Sequence, residues 1–146
     1  MGDVRRTPTS SARWAALVLA LPAALAGCAD ASEPARALAE QACRYPAPDA
    51  PNFDAQLADL ALLDQLATTA GERSRLADDA AEGDERWQAL ADAARALAVY
   101  ADTIRDIRRS GGIVADELPP PVWDQVKYAS DAFILECRPA LEQPAG

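Results

Sequence analysis

The chain has 146 residues, half of them apolar, which supports one modest core and excludes a large multidomain enzyme. Its formal charge of -9 argues against nucleic acid and against charge-driven binding to anionic lipid. It has no histidine, which excludes histidine acid–base chemistry and histidine-ligated metal sites.

Residues 1–27 begin with basic Arg5, Arg6 and Arg13, continue as an apolar run from Trp14 to Leu25, and end in small residues. This is the layout of a secretory signal. The run is shorter than the ~20 apolar residues of a membrane-spanning helix, and Pro22 interrupts it, which argues against a permanent transmembrane segment.

Leu25, Ala26, Gly27 and Cys28, closing that run, resemble the bacterial lipobox. The resemblance implies cleavage between Gly27 and Cys28 and a diacylglyceryl group on the Cys28 sulfur, making Cys28 the acylated amino terminus. Ordinary secretion is the alternative, with cleavage at Ala24 to Ala26 or at Ala29 to Ala31, the second of which discards Cys28. Arg5 and Arg6 also resemble a twin-arginine export pair, although the following Thr-Pro-Thr lacks that signal's apolar residues. A two-chain anchor is effectively permanent, since each buried methylene contributes about 0.8 kcal/mol. Within the tether at residues 28–31, the three residues between Cys28 and Ser32 then span only about 10 Å at ~3.3 Å each, which keeps the folded part close to the membrane.

Acylation of Cys28 leaves Cys43 and Cys137 as a natural pair in an oxidising compartment. Their bond would close a 94-residue loop, for which stabilisation of about 2–4 kcal/mol is usual. The alternative is a reactive thiol, which without histidine would need an arginine or a helix terminus to activate it.

Residues 32–141 read as one helical domain followed by a disordered tail at 142–146. Alanine and leucine dominate, β-branched residues are sparse, and no strand-type alternation appears. Ser32 is placed to cap a first helix over Glu33 to Arg44. The second helix is expected from near Phe53 to Gly83, with Leu57, Leu60, Leu63, Ala67 and Ala70 on one side and a bend at Gly71. Asp84 would cap the third helix, whose Trp87, Leu90, Ala94, Leu97, Ala101 and Ile104 recur at steps of three and four as a packing seam. Ser110, Gly111 and Gly112 end it. Pro119, Pro120 and Pro121 lead into a fourth helix bearing Val122, Val126, Ala129, Phe133 and Cys137.

The expected fold is all-α: a small antiparallel bundle of three long helices plus a short amino-terminal helix, clamped by one disulfide. In a simple up-and-down bundle Cys43 and Cys137 would lie at opposite ends, too far apart for the ~7 Å Cα limit of a disulfide. The proline-rich residues 44–52 are therefore expected to run as a strap along the bundle, with helix one held near the end of helix four.

Charged clusters have structural explanations. Asp78, Asp79, Glu82, Asp84 and Glu85 lack EF-hand spacing and read as a capped, solvated turn rather than a calcium site. Arg105, Arg108 and Arg109 suit the helix dipole and pair with Asp102 and Asp106; an anion patch is the alternative. The stretch Pro119 to Trp123, and Tyr45, could engage a partner's aromatic groove or start a helix and pack on the bundle. Trp87, Tyr100 and Tyr128 are expected in or beside helical seams. Ser74 and Ser130 have no candidate base, and no carboxylate pair stands out for catalysis.

The resulting expectation is a non-enzymatic envelope lipoprotein on the outer face of a bacterial cell membrane. It would act as a protein-interaction or structural module, with an envelope protein as partner, no cofactor and no nucleic acid. The alternative is a carrier of a small lipid- or haem-type ligand with a pocket between helices; Tyr100 or Tyr128 would then be the available iron ligand. With Lys127 as its sole lysine and abundant alanine, the chain is similar in layout to small helical lipoproteins of actinobacterial type, a likeness that carries no functional residues across.

Overall fold

The computed structural model describes residues 32–48 and 57–142. The expectations for the signal segment 1–27 with Gly27, for Cys28 and the tether to residue 31, for a helix start near Phe53, and for residues 143–146 lie outside the described residues. The architecture is an all-α bundle closed by a disulfide between Cys43 and Cys137, whose Cα atoms are 5.6 Å apart.

Helix α1 runs Ser32–Arg44 and buries Ala35, Ala39 and Ala42 on one stripe. Helix α2 runs Leu60–Gly83. Asp59 is extended and caps it, its carboxylate accepting from the backbone N–H groups of Ala61 (2.8 Å) and Leu62 (3.4 Å). Leu57 and Ala58 form a helical step ahead of that cap. Leu60, expected in the seam, is instead 42% exposed in the first turn, and Leu63, Ala67 and Ala70 carry the buried stripe. The helix continues through Gly71.

Asp84 serves both neighbours. Its backbone N–H donates to the Ala80 carbonyl and closes α2, while its side chain accepts from Arg86 N–H and opens a 3-10 turn over Glu85–Trp87. Helix α3 follows as Gln88–Arg109, with Leu90, Ala94, Ala101 and Ile104 buried as the period of three and four requires. Gly111, at φ 83°, supplies the left-handed residue that ends it. A single-turn helix α4, Val114–Glu117, precedes α5, Pro120–Leu141, in which Pro120 and Pro121 occupy the first helical turn.

Residue pairs fix the helix directions. Asp78 meets Arg95 and Asp64 meets Arg109, so α2 and α3 are antiparallel. Gly83 abuts Ala35 while Arg73 reaches Tyr45, so α1 and α2 are antiparallel. Cys43 joins Cys137 while the Arg36 guanidinium donates to the Glu142 carbonyl, so α1 and α5 are antiparallel as well. Direction therefore alternates around the bundle, yet the disulfide forms. The expected conflict assumed helices of equal length. Helix α1 has only 13 residues against 22 in α5, about 20 Å against 33 Å at 1.5 Å per residue, so it ends beside the carboxyl-terminal turns of α5.

After α1 the chain lies on α2. The Arg73 guanidinium donates to the Tyr45 carbonyl at 2.6 Å, and the Thr69 hydroxyl donates to the Pro46 carbonyl at 3.4 Å. The described part of the proline-rich strap thus runs toward the start of α2, and its residues 49–52 lie outside the described residues.

The core follows from these lengths. Where α1 is present, Ala35, Ala39 and Ala42 pack with Leu76, Ala77, Ala80, Trp87, Leu90 and Phe133. At the other end Leu63, Ile104, Val114 and Leu118 form a second cluster, joined by Val122 and Trp123. Between them lies a cluster of small buried side chains, Ala67, Ala70 and Ala101.

Candidate functional site

The middle of the bundle leaves a partly open cavity between α2, α3 and α5. Helix α1 has ended, and the side chains that α2 and α3 present there include Ala70, Ala94 and Ala101, which are too short to meet across the gap. A cavity of about 220 Å³ remains, bounded by Leu66, Thr69 and Arg73 from α2, Leu97, Tyr100 and Ile104 from α3, and Val126, Ser130 and Phe133 from α5.

Arg73 is the one charged residue of that lining. It sits where the α2 stripe of Leu66, Ala70 and Ala77 requires an inward side chain. Its guanidinium carbon lies 5.6 Å from the centre of the Phe133 ring. Its Nε is enclosed and has no acceptor among the described residues. Burial pushes the guanidinium below its ordinary value. The other cavity-side polar groups are the Tyr100 hydroxyl, which donates to Gln125 Oε1 at 2.9 Å, Ser130, and the Thr69 hydroxyl already engaged with Pro46.

The charged clusters read from the sequence are dispersed into local pairs. Asp78 takes Arg95 at 2.6 Å, Asp79 takes Arg75 at 2.9 Å, and Asp84 takes Arg86 at 2.7 Å, while Glu82 and Glu85 face solvent. Among the described residues no three cysteine or carboxylate side chains converge on a cation site. Arg105 contacts Asp102 and Asp106, Arg109 contacts Asp64, and Arg108 donates to the Gly112 carbonyl. The three arginines therefore point to separate acceptors. The hydrogen bond to Asp78 holds Arg95 above its ordinary value, and that to Asp106 does the same for Arg105.

No protein family, curated protein sequence or solved structure matches this chain. Its functional reading rests on the residues themselves.

Of the two tyrosines, Tyr100 lines the cavity and Tyr128 does not. Tyr128 is 78% exposed on α5, and the cavity is smaller than the roughly 300–1,000 Å³ of pockets that enclose drug-sized ligands. Trp87 is buried in the first cluster, and Trp123 is half-buried against the second. Ser74 is buried within α2. Arg73 is a candidate that the sequence motifs do not bring forward. Its signal was available as a single arginine at a seam position among leucines and alanines.

On the outside, α5 presents Tyr128, Ile134 and Leu135 at 78%, 58% and 54% exposure, and α3 presents Val99 at 58%. Among the described residues no helix is long and apolar enough to cross a membrane.

Proposed function

We propose that this chain is a non-enzymatic lipoprotein, tethered through an acylated Cys28 to the outer face of a bacterial cell membrane, where its helical domain engages another envelope protein. The supporting observation is the Cys43–Cys137 bond. It withdraws two of the three cysteines, leaving Cys28 at the end of an apolar signal as the remaining thiol. A structural disulfide also suits an oxidising, extracytoplasmic setting. The exposed apolar side chains of α3 and α5 suit contact with a protein surface.

The test is mass spectrometry of the membrane fraction, combined with crosslinking in intact cells. The expected mature chain begins at Cys28 and carries a diacylglyceryl mass, and Cys28→Ala releases the protein from the membrane. An unmodified amino terminus downstream of Cys28 overturns the anchor. A chain that forms no crosslink to another envelope protein overturns the interaction role.

A further inference from the structure

Arg73 presents an imbalance that the fold does not resolve. Every ion pair among the described residues uses a different arginine: 44, 75, 86, 95, 105 or 109. The Arg73 guanidinium has one acceptor, the Tyr45 carbonyl, one aromatic face, Phe133, and an enclosed Nε with nothing to donate to. A guanidinium carries five N–H donors and stays charged; Arg73 is half-buried, and its enclosed Nε side, without an acceptor, faces the apolar wall. Even partial removal of a cation from water without a counter-charge is unfavourable, and a charge-assisted hydrogen bond is the strongest available compensation.

The cavity beside it selects the rest of the ligand. Its volume of about 220 Å³ corresponds to roughly seven water-sized groups at about 30 Å³ each. Leucine, isoleucine, alanine and phenylalanine side chains provide most of the surface. A phosphate would bring a second negative charge to a wall with a single cation, and a free inorganic anion would leave the apolar volume unfilled. We infer that the cavity receives a small amphiphilic monocarboxylate, whose carboxylate meets Arg73 and whose apolar body lies between Leu66, Leu97 and Ile104. The ligand end faces the strap at Tyr45, because the same guanidinium binds both.

The experiment uses the full chain, produced by export in a bacterial host and purified into phosphatidylcholine nanodiscs. Its outcome does not depend on whether Cys28 is acylated or on any protein partner. Hexanoate, hexanamide and hexylammonium are titrated in turn by calorimetry, and labelled hexanoate is located by intermolecular nuclear Overhauser effects. Hexanoate is expected to bind at least tenfold more tightly than hexanamide and to show contacts to Phe133 and Ala101, with hexylammonium not binding. Arg73→Gln keeps a donor for Tyr45 and is expected to bring hexanoate down to the hexanamide level, and Ala101→Leu is expected to abolish binding of both. Equal affinity for hexanoate and hexylammonium overturns the proposal, as does hexanoate binding without contacts to Phe133. Should Arg73→Gln fail to fold, the charge series and the contact map on the unsubstituted protein decide the matter alone.

Discussion

Leu63 and Leu90 are the two largest side chains with no exposure at all, one in each end cluster, and they carry the packing of those ends. Arg95, by contrast, is half exposed although it contacts both Asp78 and Asp92. The physics of the two environments ranks them clearly. Truncating a buried leucine loses its transfer energy and leaves a void, about 2–5 kcal/mol, whereas an exposed ion pair is worth roughly 0–1 kcal/mol. Leu90→Ala is therefore expected to lower the unfolding free energy severalfold more than Arg95→Ala, measured by urea denaturation at equal ionic strength. Raising salt should shrink the Arg95→Ala effect further and leave the leucine effect unchanged. At this scale the α3 seam was readable beforehand, because Trp87, Leu90, Ala94 and Ile104 repeat without interruption. Arg73 is legible only through its register, three residues after Ala70 and four before Ala77, because its immediate neighbours resemble those of the exposed Arg75.

Helix α1 is built for close approach. Ala35, Ala39 and Ala42 are almost wholly buried, and a Cβ placed on Gly83 would lie 3.1 Å from the Ala35 Cβ. Small residues on both faces bring the two backbones together, and no space remains for a longer side chain. Ala39→Leu is expected to destabilise the fold by about 1–3 kcal/mol through overpacking, with the loss read as a lower melting temperature. The same substitution at Ala96, half-buried on α3, serves as the control and should have a smaller effect. Element boundaries were legible where a stop signal and a period agree, as at Gly83 with Asp84 and at Gly111. They were less so at α2, where the leucine spacing extends upstream of Asp59 and only the cap geometry decides the start of the main helix. The four residues of α4 are too few to show any period, so the helix was invisible until Val114 and Leu118 were seen buried.

Across the whole molecule, cysteine parity made the clamp legible, whereas the relation between helix lengths did not emerge from any local pattern. The alternating directions and the disulfide coexist because α1 stops short, and the same shortness opens the cavity beside Arg73. A void of this kind is a property of four elements together and has no signature in any one of them. The clamp has a mechanical meaning too. Tension applied between residues 32 and 142 passes along α1, through the Cys43–Cys137 sulfurs and out along the last turn of α5, so α2, α3 and α4 lie off the load path. The 94-residue loop is thereby shielded from extension. In single-molecule pulling from those two points, adding a reductant should release additional contour length of about 330 Å, at ~3.5 Å per residue. An equal extension with and without reductant would show that force enters the bundle directly. A tug at the amino-terminal end therefore loads a covalent strut, while the helices that enclose the cavity remain at rest.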